Sequence, residues 1–177
     1  MKVLTTPYIY GKGLEIYQSS TTKCAKNLLN EILEAILLKD SSISEIKSII
    51  LKYKKMILNR EITDPNQLTI VKKIGQMPET YAKTLPAHVE LALKRKELGE
   101  RFFISQKVPF LVLREKPLKI VHLNDYAGEY DEKYYWTKMI FPPTYRLLTI
   151  VFPDENWDRF LSTEKHYQNK LFEYEKK

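Results

Sequence analysis

The chain has 177 residues, 44% of them hydrophobic, which is a globular composition large enough for one domain or two small ones and not that of a disordered segment. Lys and Arg number 29 against 22 Asp and Glu, a formal net charge of +7, and this balance favours anionic partners, nucleic acid above all. One cysteine, Cys24, excludes an intramolecular disulfide framework and any zinc site built on several thiolates, and no apolar run reaches the roughly 18 residues of a membrane span. The N-terminal MKVLTTPYIYGKG has no apolar signal core, so a cytoplasmic location is expected.

Residues 1–17 read as extended, with β-branched residues interrupted by Gly11 and Gly13. The polar patch QSSTT suits a helix N-cap, and Ala25, Leu28, Leu29, Ile32 and Ile36 predict a helix from about Thr22 to Lys39. Cys24 falls on its apolar face and reads as packing. Ser42 with Glu45 is a capping box opening a second helix, whose stripe is Ile43, Ile46, Ile49, Ile50, Tyr53 and Ile57. Asn59 to Asn66 is a connector, and LTIVKKI reads as a short strand. A loop held by Pro78 and Pro86 leads to a helix from about Ala87 to Glu97, stopped by Gly99. VPFLVLRE and LKIVHL predict two further strands, and Asn124 to Glu129 a loop. Residues 131–151 have helical character, with Pro142-Pro143 requiring a kink or a break. From Pro153 the chain reads as a polar and aromatic tail with no core face.

Catalytic signatures are missing. Gly11-Lys12-Gly13 is not a phosphate loop, because the Walker pattern needs four residues between its glycines and a Ser or Thr after the lysine. His88, His122 and His166 have no metal-ligand spacing, and no D-x-D pair sits at a strand end to seat two metal ions. No catalytic residue and no metal ligand is assigned to this chain.

Four stretches follow one another along the chain: KGLEI at Lys12 to Ile16, YAKTLPAHV with Tyr81, Lys83, Pro86, His88 and Val89, KVPFLVLRE at Lys107 to Glu115, and YDEKYYWTKMIFPPTYRLL with Tyr130, Asp131, Tyr134, Tyr135, Pro142 and Arg146. In this order and at these positions they resemble the C-terminal part of archaeal family B DNA polymerases, the last section of the palm followed by the thumb. The resemblance runs from about Gly11 to Val151. The chain departs from the family pattern at Gln18-Ser19-Ser20, where two arginines and an aspartate are usual, and at Gly75-Gln76-Met77, which lacks an expected cation.

The resemblance implies an α+β chain. Residues 1–60 would complete the palm with a strand and a helical hairpin. Residues 61–152 would form a mostly helical thumb with a small β element, and 153–177 a tail. It implies the small, non-catalytic subunit of a split polymerase, since the sequence begins with Met1 just upstream of the palm strand. Its partners would be a large catalytic subunit, which holds the Mg2+ ions, and primer-template DNA.

Lys12, Lys83, Lys94, Arg95 and Lys96 are the candidate phosphate contacts, because backbone cations grip without reading sequence, and a solvated helix face is the other reading of Lys94, Arg95 and Lys96. Gly13 permits close backbone approach or a bulge. Tyr81 and His88 suit either a bond to phosphate or sugar or a pin between loop and thumb core, and Tyr134 and Tyr135 read as core. Gln168, Leu171 and Tyr174 have the spacing of a sliding-clamp peptide, although Glu175 stands where a second aromatic is usual, and a plain terminal helix is the other reading.

Overall fold

The computed structural model describes residue 18, residues 20–82 and residues 84–163. Lys12, Gly13, Lys83 and the clamp-like set Gln168, Leu171 and Tyr174 therefore lie outside the described residues, as does the extended segment 1–17.

Two amphipathic helices form an antiparallel hairpin. Helix α1, Lys23–Leu37, starts where the polar patch ends: Thr22 is the N-cap, and its hydroxyl accepts from the Ala25 N–H. Helix α2, Ile43–Leu58, opens with the complete capping box, in which Glu45 accepts from the Ser42 N–H at 2.7 Å and Ser42 Oγ accepts from the Glu45 N–H. It closes through Arg60 at φ 58°, a left-handed residue that lets the Glu61 N–H reach the Met56 carbonyl.

Three short strands, β1 (Ile70–Lys73), β2 (Lys107–Leu113) and β3 (Lys119–His122), pair antiparallel in the order β1-β2-β3. Phe110, Leu111 and Val112 are buried in succession along β2, so both faces of the sheet are covered there. Helix α3, Ala87–Glu97, packs on β2 and β3 with the predicted bounds. Gly99 follows its C-terminus at φ +94°, as the sequence requires.

The segment at 131–151 resolves the Pro142-Pro143 problem without a loop. A single helical turn α4, Glu132–Tyr134, widens into a π-helical stretch at Tyr135–Ile140, and α5, Phe141–Val151, begins with the prolines in its first turn. Neither proline can donate a backbone hydrogen bond, and the first turn of a helix is where no donor is needed.

One core joins these parts. Cys24, Leu28, Ile32, Ile46, Ile50 and Ile57 of the hairpin pack with Phe110 to Val112, Tyr130, Tyr135, Trp136, Ile140 and Leu148. Burial pushes the Cys24 thiol up to about 12, which fits inert packing. Tyr130 Oη donates to the Ile57 carbonyl at 3.1 Å, and Tyr135 Oη accepts the Val112 N–H at 3.0 Å. Two of the three tyrosines of the YDEKYY stretch thus act as ties, Tyr130 to the end of α2 and Tyr135 to β2.

The reading of residues from Pro153 as lacking a core face is corrected. Helix α6, Trp157–Leu161, seats Trp157 and Leu161 in the core at 0% exposure. Trp157 Nε1 donates to the Phe152 carbonyl and Trp136 Nε1 to the Leu161 carbonyl. Lys54 donates to the carbonyls of Phe160 and Ser162, so α2 also holds this segment down. No helix among the described residues is long and apolar enough to cross a membrane.

Candidate nucleic-acid interface

The corner at Tyr81 to His88 is built by proline. Pro78 opens a 3-10 turn, Pro78–Thr80, and Pro86 sets the extended residue before α3, its carbonyl accepting from the Val89 and Glu90 N–H groups. His88 Nε2 lies 3.3 Å from the Lys73 carbonyl, which can only accept, so this nitrogen carries the proton. This contact ties α3 to the end of β1. Desolvation, aided by the charge of Lys72 and opposed by the bond to Lys73, holds the imidazole below its ordinary value and hence neutral at pH 7. The half-buried Tyr81 has no side-chain hydrogen bond among the described residues.

The three cations of α3 separate. Arg95 is nearly buried, its side chain 13% exposed, and pairs with Glu100 and Asp125, which hold its guanidinium above its ordinary value. Its charge is matched internally, where it clasps the end of α3 to the turn Leu123–Asp125. Lys94 and Lys96 are exposed. Lys94 lines a groove of about 320 Å³ between α3 and the β2–β3 turn, together with Lys116 and Lys119 but also Glu90 and Glu115. Lys96 Nζ lies 6.0 Å from the centre of the Phe102 ring.

Sequence reasoning missed a second set of cations. Lys73 of β1 stands opposite Lys107 of β2 in the register, with Lys72 beside them. All three are exposed, and among the described residues none has an ion-pair partner. Like charges directly opposite on neighbouring strands cost stability, so this end of the sheet presents an unneutralised positive surface. The sequence signal was Lys72-Lys73 inside LTIVKKI and Lys107 just before VPFLVLRE, which becomes informative only once the register of the two strands is known. Among the described residues, no three His, Cys, Asp or Glu side chains gather as a metal centre would need.

The model of DNA polymerase family B matches residues 5–150. The chain belongs to DNA polymerase family B. Among curated relatives it is 26% identical over 160 residues to a DNA polymerase of Archaeoglobus fulgidus, a match covering 77% of this chain and 20% of the relative. It is 28% identical over 153 residues to a DNA polymerase of Methanocaldococcus jannaschii, covering 82% of this chain and 9% of the relative. For a DNA polymerase of Pyrococcus horikoshii the identity is 26%, with 79% and 12% covered. The chain thus spans a fifth or less of the curated relatives it matches. Its fold is like that of the family B DNA polymerase of Pyrobaculum calidifontis, with a TM-score of 0.55 at 24% identity over 72% of this chain and 18% of that one.

Proposed function

We propose that this chain is the palm-completing and thumb portion of a split family B DNA polymerase, a small subunit that grips primer-template DNA for a separate catalytic polypeptide. The observation that carries this reading is the match of the family model to residues 5–150, joined to the unneutralised lysines where β1 faces β2. In this reading the aspartates that would hold Mg2+ belong to the partner.

In this role the chain's contribution is positioning. The cations at the sheet end, Lys72, Lys73 and Lys107, together with Lys94 and Lys96, offer sequence-independent contacts to phosphate, and a polymerase must hold every sequence equally. His88 fixes the corner beside them. Holding the primer end still lowers the entropic part of the barrier in the partner's active site, where the metal ions supply the phosphoryl-transfer chemistry. Lys12 and Lys83 join this set as further backbone contacts, Gly13 as a site of close approach, and Gln168, Leu171 and Tyr174 as a clamp-binding peptide. The protein works in the cytoplasm, on the nucleoid.

A second reading, a stand-alone nucleic-acid-binding or scaffolding module derived from a polymerase thumb, is favoured by the exposed, uncharged Gly75-Gln76-Met77 where the family pattern has a cation. Primer extension by the same organism's truncated family B polypeptide, with and without this chain, separates the two. The split-polymerase reading expects short, distributive products to become long ones when the chain is added. Full-length extension that the chain does not change would transfer the case to the second reading.

A further inference from the structure

Next to the Lys73–Lys107 pair, the chain makes a turn at Phe103–Gln106 that is held more tightly than a connecting loop needs. Ile74 N–H donates to the Gln106 carbonyl at 3.0 Å and Ser105 N–H to the Ile74 carbonyl at 2.8 Å, extending the β1–β2 ladder beyond its last paired lysines. Within the turn, Gln106 N–H donates to the Phe103 carbonyl, and Gln106 Oε1 accepts the Phe103 N–H at 3.3 Å. Ser105 takes the left-handed conformation, φ 68°. Phe102 packs beside Ile74, Ala92 and Val108 and seats the turn. Phe103 and Ile104 point away, 55% and 49% exposed.

A large apolar pair on a fixed turn, beside Lys73, Lys107 and an exposed Arg101 that also has no ion-pair partner among the described residues, is the combination that binds unpaired nucleotides. Cations take the phosphates while an aromatic ring takes the face of a base. A purely apolar partner would leave the cations buried and unmatched. In a duplex the base faces are already stacked on one another, so the ring selects single strands.

We infer that the turn Phe103–Gln106 is a single-stranded DNA contact in which the Phe103 ring stacks on an unpaired base while Lys73 and Lys107 hold the flanking phosphates. The inference rests on the nucleic-acid reading above and adds to it a contact with the unpaired part of the substrate. Because the turn is already ordered by backbone bonds, little is lost in fixing the ring on binding.

The test uses the full chain at low salt, titrated by fluorescence anisotropy with a labelled oligothymidine, an abasic oligomer of equal length and a duplex. Wild type is expected to prefer oligothymidine over the abasic strand by about tenfold, the scale of one base stack. Phe103→Ala and Phe103→Leu should erase that preference, Phe103→Trp should keep it, and the Lys73→Ala, Lys107→Ala pair should weaken both strands alike. Circular dichroism of each variant checks that the fold is kept. If wild type binds DNA but treats the two strands alike, or Phe103→Ala keeps the preference, the stacking inference fails and the thumb reading stands. If wild type binds none of the three DNAs, the nucleic-acid reading fails and the inference with it.

Discussion

The helical body and the sheet end of this molecule solve opposite problems. In the body, the largest side chains are fully enclosed and their polar atoms matched: Trp136 and Trp157 are 0% exposed, and both indole N–H groups donate to carbonyls. At the sheet end the small cluster of Ile74, Ala92 and Val108 supports exposed Phe103 and Ile104 and a facing pair of lysines. The body gains stability from enclosure, whereas the sheet end keeps a local electrostatic cost that only an anionic partner would relieve. Substitutions should therefore divide by readout, those in the body changing unfolding and those at the sheet end changing binding.

The largest effect is expected from Trp136→Ala. It removes a fully buried aromatic ring and leaves the Leu161 carbonyl without its indole donor, so a loss of about 3–5 kcal/mol is expected. Chemical denaturation followed by circular dichroism measures it. A loss below about 1 kcal/mol would mean that the body is not the enclosed core described here. Tyr135→Phe comes next. It keeps the ring but deprives the Val112 N–H of its acceptor near the end of β2, for an expected cost of about 1–3 kcal/mol. Amide exchange at Val112 should quicken more than exchange in α1, because the lost bond lies where the body meets the sheet.

The sequence disclosed the body better than the sheet end. Helical periodicity and the Ser42–Glu45 capping box placed α1 and α2 to within a residue or two, because stripe and caps are local signals. The bounds of α3 followed from Pro86 and Gly99 for the same reason. Tertiary placement was less legible. Trp157 and Leu161 sit in a five-residue helix, too short for a periodic pattern, and their burial depends on carbonyls presented to Lys54 and Trp136 from distant parts of the chain. Arg95 looked like Lys94 and Lys96 in a basic run, but rotation along α3 turns it toward Glu100 and Asp125. Lys73 and Lys107 are 34 residues apart, and only strand register brings them together. The candidate site was thus legible at its corner, Pro86 to His88, and not along its edge.

Acidification gives a third, smaller separation of the two regions. His88 and His122 are both held below their ordinary value, first by desolvation, and His122 Nδ1 accepts the Asn124 N–H, which only an unprotonated nitrogen can do. The unfolded chain therefore takes up these protons at a higher pH than the folded one. Stability from the neutral rings is complete above about pH 6.5 and falls as the pH drops from there through their lower folded values. Glu31, Asp64 and Glu132 are also held low, which confines their contribution to the carboxylate range, below about pH 4.5. Urea midpoints should decline modestly between pH 7 and 5.5, and His88→Asn with His122→Asn should flatten that decline. An equal decline in wild type and double variant would place the sensitive groups elsewhere.

The smallest effect on stability is expected where the effect on binding is distinct. Lys73→Ala with Lys107→Ala removes two exposed cations that repel across the ladder, so the fold should be unchanged or gain roughly a few tenths of a kcal/mol. Each lysine that contacts phosphate contributes about one unit to the slope of log affinity against log salt for duplex DNA. The double variant should therefore bind primed duplex more weakly at low salt and show a slope shallower by about two, while Arg95→Ala should lower stability through its lost pairs and leave that slope nearly as it was. A slope altered by Arg95→Ala and indifferent to Lys73 and Lys107 would reverse the assignment, making Arg95 a phosphate contact and leaving the sheet-end lysines as solvated surface.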